Sequence, residues 1–218
     1  MNINIKVDLI IERMERFIKK EKKVTSDKFV KIANKILNKT ILKVGKSKFR
    51  ICEIEFYLYN KKHKDKYVHG HKDQLQYGKW YFHKMGQSES YKGGTFMGLD
   101  LALGNKKKKS YCGILLRSMY DIKKKEMITG SCNLVKRILK EFTKTKVAEL
   151  TKNKNLSVLK NRKKLVLRDK KLEKEIIYCG QRVGLSDKYP KYKNKIYRFL
   201  IYKNLIKKQK KDLTLLET

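Results

Sequence analysis

The stretch "CEIEFYLYNKKHKDKYVHGH", residues 52–71, sets two carboxylates into an apolar, strand-like run of a chain that carries 57 Lys and Arg against 21 Asp and Glu. Side chains of a strand alternate between its faces, so Cys52, Ile54, Phe56 and Leu58 fall on one side and Glu53, Glu55, Tyr57 and Tyr59 on the other. The first side reads as core. The second, acidic and aromatic, is either the polar side of a half-buried antiparallel strand meeting water or the wall of a pocket.

Outward from this strand, residues 26–43 place Phe29, Ile32, Ala33, Ile36 and Leu37 at helical spacing behind Ser26 or Asp27 as N-cap, which predicts an amphipathic helix with a lysine face. After the strand and a lysine- and histidine-rich loop, "GKWYFHK" (78–84) reads as a second strand. Gly93-Gly94 marks a turn and Phe96 to Leu103 a return strand, which together make a hairpin with a long tip. "YCGILLRSM" (111–119) reads as a buried strand ending in an arginine, Leu134 to Phe142 as a helix, and 164–170 and 196–202 as two further strands. Residues 206–218 carry little pattern and are expected to form a basic, mobile tail. Many separated strands with helices near the start and middle predict an α+β fold, one domain over residues 1–205 around a mostly antiparallel, curved sheet with flanking helices.

The formal charge of +36 calls for an anionic partner, and nucleic acid is the commonest one. Only nine of the 57 basic residues are Arg, and enrichment in Lys, Ile and Asn is also what an AT-rich genome imposes on any protein. No strongly amphipathic basic helix with an aromatic apolar face offers itself to a membrane surface. The four cysteines, Cys52, Cys112, Cys132 and Cys179, form no CxxC pair, which argues against a zinc ribbon and for reduced core thiols. Charges interrupt every apolar stretch of "MNINIKVDLIIERMERF", so it reads as neither a signal peptide nor a membrane span, and an intracellular, soluble protein is expected.

Several motifs occur together. "RICEIEFYLYNKKHKDKYVH" resembles the R-I-V-E-T-E-A-Y segment, loop and D-x-x-x-H of the alkyladenine (3-methyladenine) DNA glycosylases, with Arg50, Glu53, Glu55, Tyr57, Asp65 and His69 at the matching places. "CGILLRSM" is similar to that family's strand ending in L-[LI]-R-[AS], "GSCNL" (130–134) stands where it has G-P-[SG]-K-L, and "QRVGL" and "IYRFLI" resemble its closing R-[VI]-G-[VI] and [LW]-R-F. The order is that of the family and the span is about residues 26–202. The chain departs from the pattern at the hairpin, where Y-V-Y-x-x-Y-G is replaced by "WYFHKMGQSESYKGGTF", and at Ser131 and Asn133.

The resemblance implies an enzyme that removes an alkylated or deaminated purine from double-stranded DNA, acts as a monomer and needs no cofactor. Such an enzyme draws a nucleotide out of the stack at a cost of a few kcal/mol and recovers that cost in a pocket, partly by base–aromatic stacking. Glu55 is implied as the base that activates water and offsets positive charge on the sugar. Arg117 would position Glu55 or the target phosphate, or form a plain ion pair. Glu53 reads as an ion-pair partner of Arg50 or Arg117. Tyr57 supplies one stacking face, and His69 the other face or a contact to the nucleotide, unless it is a solvated loop histidine. His83 and Tyr81 compete for a third aromatic wall. Asp100 aligns at the pocket floor, where it would accept from an exocyclic amine or raise the pKa of Glu55, unless it is a turn residue. Tyr91, with Met85 behind it, is the candidate wedge to fill the vacated stack. Two rival classes remain open on the sequence: a metal-dependent nuclease using His69, His71, Glu55 and Asp100, and a nucleic-acid-binding protein without catalysis on the same scaffold.

Overall fold

The computed structural model describes residues 26–152, 156–159, 165–207 and 212–216. The N-terminal stretch read as neither leader nor span lies outside them. The chain opens with helix α1 (Ser26–Lys39), then strands β1 (Thr40–Val44), β2 (Ser47–Tyr59), β3 (Lys79–Phe82), β4 (Leu99–Ala102), β5 (Tyr111–Asp121) and β6 (Glu126–Thr129). Helices α2 (Ser131–Glu141) and α3 (Val147–Thr151) precede β7 (Leu165–Asp169) and β8 (Tyr178–Gln181), and the short helix α4 (Pro190–Lys193) leads to β9 (Ile196–Leu200) and β10 (Thr214–Leu215). Every described pairing is antiparallel, in a sheet ordered β10-β8-β9-β2-β5-β4-β3, with β1 joining β2 to β7 and β6 flanking β5. The α+β class expected from the pattern is the one observed. Among the described residues no helix is long and apolar enough to cross a membrane.

One side of β2 is the core. Cys52, Ile54, Phe56 and Leu58 are all buried there, with Phe56 stacked on Phe29 of α1 at 4.2 Å between ring centroids. Tyr197 of β9 meets Phe29 edge-on at 4.9 Å. Aromatic pairs in such geometry contribute about 0.5–1.5 kcal/mol beyond the area they bury. The apolar stripe of α2, Leu134, Val135, Ile138 and Leu139, covers the same core.

Three sequence expectations change. The helix expected over 26–43 ends at Lys39; β-branched Thr40 and Ile41 begin a strand instead, because that segment finds ladder partners on both edges, β2 and β7. The return strand expected from Phe96 starts only at Leu99, since Gly94 at φ +56° closes a turn in which Phe96 N–H donates to Gly93 at 3.1 Å. The expected tail returns to the fold: Ile206 and Leu213 are buried and Thr214–Leu215 pair with β8, while residues 208–211 and 217–218 lie outside the described set. Strands β6, β8 and β10 and helix α3 had no counterpart in the sequence reading.

Candidate active site

The acidic half of the second side of β2 does not meet water, whereas Tyr57 and Tyr59 are partly exposed. Glu53 is 3% exposed and Glu55 is fully buried. What makes this possible is a pair of irregularities in the ladder with β5. Ile51 faces Met119, Glu53 faces Ser118 and Ile54 faces Leu116, so Cys52 on β2 and Arg117 on β5 have no opposite number. Bulges of this kind re-aim side chains. Here Cys52 joins the core beside Ile51, while Arg117 and Ser118, adjacent in sequence, both reach Glu53.

Glu53 is thereby tied down. Its Oε1 accepts from Arg198 Nε at 2.8 Å and lies 2.8 Å from Arg198 Nη2 and 3.3 Å from Arg117 Nε; its Oε2 accepts from Ser118 Oγ at 2.5 Å. Of the two partners expected for Glu53, Arg117 is found and Arg50 is not, because Arg50 donates to Leu37 O, Asn38 Oδ1 and Glu173 O.

Glu55 is held more lightly. Val183 N–H donates to its Oε1 at 2.7 Å, Tyr57 O–H donates to its Oε2 at 2.8 Å, and Arg117 Nε stands 3.4 Å from Oε1. Burial pushes its carboxyl above the ordinary value of 4.5, against the pull of Arg117, Val183 and Tyr57. Arg117 moves the opposite way: burial would weaken its charge, but Glu55 and Glu53 outweigh that and hold the guanidinium firmly protonated.

Tyr57 carries a partner that the sequence did not announce. The Arg182 guanidinium carbon lies 4.5 Å from its ring centroid, and Arg182 is locked by Asp65 at 2.6 and 3.3 Å, by Phe56 O and by Tyr192 O. Asp65 and the Arg182 side chain are both fully buried. The "QRVGL" motif thus delivers a cation to Tyr57 and, from its next residue, an N–H to Glu55.

The register carries the site across the sheet. Glu55 faces Leu115, Leu115 faces Asp100, and Asp100 faces Tyr81, so these four lie in one row on one side of β2, β5, β4 and β3. Glu55 and Asp100 are two strand spacings apart, ~10 Å, with Leu115 between them. Beside this row stands Gly113 of β5, where a Cβ would collide with Asp100 Oδ2. Asp100 is no surface turn residue: it is 2% exposed, its Oδ1 lies 2.7 Å from His83 Nε2, and its Oδ2 accepts from Gln74 Nε2 at 3.3 Å.

His69 joins this group, so the solvated-loop alternative falls away. Its ring meets that of His83 at 4.2 Å, Tyr81 Oη lies 3.4 Å from Nδ1, and Lys92 Nζ lies 3.4 Å from Nε2. Burial, then the His83 ring, pushes its pKa down to about 4, which leaves it neutral near pH 7. Tyr81 is 1% exposed and stacks on buried His71 at 5.5 Å, whereas His83 is partly exposed, so His83 is the better placed of the two to form a wall. Among the described residues no three His, Cys, Asp or Glu side chains are grouped to hold a metal ion; His71 is packed against Tyr81, and Glu55 is separated from Asp100 by Leu115.

At the hairpin tip, Tyr91 is half-buried, with Lys84 Nζ 4.4 Å above its ring. Lys84 is itself buried and bonded to Glu89 Oε2 at 2.7 Å. The exposed apolar side chains there are Met85, 60% exposed, and Phe96, 75% exposed. Phe96 was missed because it read as a strand residue. Arg198, Arg182, Val183 and Gln74 were also missed; only the quoted "QRVGL" and "IYRFLI" motifs contained a signal for the first three.

Comparison with known proteins identifies the family. The methylpurine-DNA glycosylase family profile matches residues 23–205. An uncharacterized protein of Acanthamoeba polyphaga mimivirus is 41% identical over 202 residues, covering 87% of this chain and 93% of the viral protein. A match over more than three quarters of the chain, on the strands that bring Glu55, Tyr57 and Arg117 together, establishes that this chain belongs to the methylpurine-DNA glycosylase family.

Proposed function

We propose that the protein is a DNA repair glycosylase that turns an alkylated or deaminated purine nucleotide out of duplex DNA and hydrolyses its N-glycosidic bond with water activated by Glu55. The observation that carries this reading is the setting of Glu55: a fully buried carboxylate with Tyr57, Val183 and Arg117 around it and a raised pKa. Catalytic bases work best when their pKa lies near the working pH, and burial moves a carboxyl in that direction. In the reaction water oxygen bonds to the anomeric carbon, the carbon–nitrogen bond breaks with its electron pair leaving on the base, and the proton of the water passes to Glu55. The negative charge of Glu55 also offsets the oxocarbenium character of the sugar.

Arg117 fixes the orientation of Glu55 and favours its ionised form against the effect of burial. The flipped base enters between Glu55 and Asp100, stacks against Tyr57, and is bounded by His69 and His83, with Asp100 and His83 as the polar groups at its edge. Tyr81 supports His69 from behind. Phe96, with Met85, serves as the wedge that fills the vacated stack, in preference to Tyr91.

The test is single-turnover excision by Glu55→Gln on duplexes carrying single alkylated or deaminated purines, scored as abasic sites. Glutamine keeps the size and the acceptor oxygen but takes up no proton, so binding to lesion DNA should persist while excision falls by about 10²–10⁴-fold or more. Excision within about threefold of the parent overturns the mechanism; lesion binding by a parent that excises nothing would favour a binding protein on the same scaffold.

A further inference from the structure

Beside the hairpin that carries Phe96 runs a groove of about 1360 Å³, larger than the roughly 300–1,000 Å³ typical of small-molecule clefts. Its walls are the loop 89–97 on one side and the α2–α3 region on the other. Its apolar lining includes Tyr91, Met97, Leu139 and Val147, and its cationic lining Lys92, Lys136, Lys140, Lys144 and Lys146. Lys136, Leu139 and Lys140 recur at three- and four-residue spacing, so the last turns of α2 present one stripe to the groove, and Thr143 follows just beyond the helix end. Among the described residues the one carboxylate on the lining, Glu89, is taken up by Lys72 at 2.5 Å and Lys84 at 2.7 Å, which pull its pKa down to about 2 and leave the lining lysines uncompensated by it. The groove also runs onto the site, since Lys92 lines it and reaches His69 at 3.4 Å.

A lining both apolar and cationic discriminates between forms of nucleic acid. A duplex offers phosphates but hides its base faces in the stack; an unpaired strand offers both, and its bases stack on aromatic and apolar floors while its phosphates track lysines. We infer that this groove binds a single-stranded DNA segment adjoining the lesion, so that the protein acts on damaged bases beside unpaired DNA. The inference rests on the glycosylase reading for its link to repair, but the binding itself needs no excision.

The experiment therefore uses undamaged DNA and the full chain. Fluorescence anisotropy measures binding to a labelled oligothymidylate of about 16 nucleotides, and to a duplex, across a salt series. Three proteins are compared: the parent, Lys136→Ser/Lys140→Ser/Lys144→Ser in the groove, and Lys106→Ser/Lys107→Ser/Lys123→Ser in exposed turns away from it. The groove triple should weaken oligothymidylate binding at least about tenfold and reduce its log–log salt slope by about 2, as expected when three phosphates of a single strand are no longer neutralised, with duplex binding changed less than about threefold. The control triple, with the same charge removed, should leave both within about threefold. Ala148→Glu, which puts a carboxylate on the exposed lining of the groove, should reproduce the groove phenotype. Equal losses for groove and control triples, equal losses on single strand and duplex, or no loss at all would each overturn the assignment. So would affinity for heparin that falls in parallel with affinity for oligothymidylate across the variants, since that would make the groove a general polyanion surface. Failure of Glu55→Gln to abolish excision would sink the mechanism above and leave these outcomes readable.

Discussion

Arg182 occupies one face of Tyr57, its guanidinium carbon 4.5 Å from the ring centroid, so a stacked base can use only the other face. The same arginine is buried against Asp65 and is followed by the residue whose N–H holds Glu55. A single buried ion pair therefore sets the positions of both Tyr57 and Glu55. Arg182→Met strands the Asp65 carboxylate in the interior and should cost about 3–5 kcal/mol in urea unfolding, whereas Arg182→Met combined with Asp65→Leu should recover most of that loss because neither charge is left alone.

On the proposed mechanism, the pH dependence of excision follows from Glu55. Its folded pKa is raised by burial, so excision should fall as pH drops through a value above 4.5, the ordinary carboxyl value. Tyr57→Phe keeps the ring but removes the hydroxyl that favours the ionised form, which should move this acid limb further up; single-turnover rates from pH 4 to 8 for both proteins check it. The same raised pKa fixes a sign in stability. Glu55 contributes fully below its unfolded pKa and loses that contribution as pH rises through the folded one, so Glu55→Gln should melt no lower than the parent at pH 7.

Glu53→Gln should behave in the opposite manner. Glu53 is buried against Arg117 and Arg198, and neutralising it removes the buried carboxylate that both guanidinium groups share. A stability loss of about 3–5 kcal/mol is expected, measured by denaturant unfolding, with excision per folded molecule reduced far less than in Glu55→Gln.

Phe96 and Tyr91 separate on the same two measurements. Phe96→Ala removes a side chain that is 75% exposed, so melting should hold while lesion-duplex affinity and excision fall, by roughly 1–3 kcal/mol in binding if the ring fills a base stack. Tyr91→Ala removes the ring beneath Lys84 and should lower melting instead.

Binding to an undamaged duplex should weaken steeply with salt. Contact with about six phosphates implies a slope near −5 in log K against log salt, and a slope near zero would mean that the lysine excess is composition alone.

The parts of this molecule that were legible in its sequence are those governed by short-range pattern. Period-two alternation put Cys52, Ile54, Phe56 and Leu58 in the core, and ordered motifs brought Glu55, Tyr57 and Arg117 together. Long-range partners were not legible: Arg198 reaches Glu53 across 145 positions and Arg182 reaches Asp65 across 117. The bulges went unread although they reverse the phase of the alternation, which runs through Phe49 and Ile51 and then through Cys52, Ile54 and Phe56. The end of α1 was hidden for the same reason as the long-range partners. Apolar spacing continues through Ile41 and Leu42, and only the availability of two flanking strands turns that spacing into β1.

Because Cys52 and Arg117 are unpaired on opposite strands, the two defects cancel and the ladder resumes in register at Ile54 and Leu116. This makes the site sensitive to chain length in an unusual way. Deleting Cys52 alone, or Arg117 alone, would shift one strand by a residue against the other and send Glu55 or its neighbours to the wrong side of the sheet. Deleting both would restore an unbroken ladder and a sound core, with the arginine between the two acids gone. Insertions and deletions here should thus be tolerated only as matched pairs, and the matched pair would leave a folded protein in which Glu53 and Glu55 have lost the arginine they share.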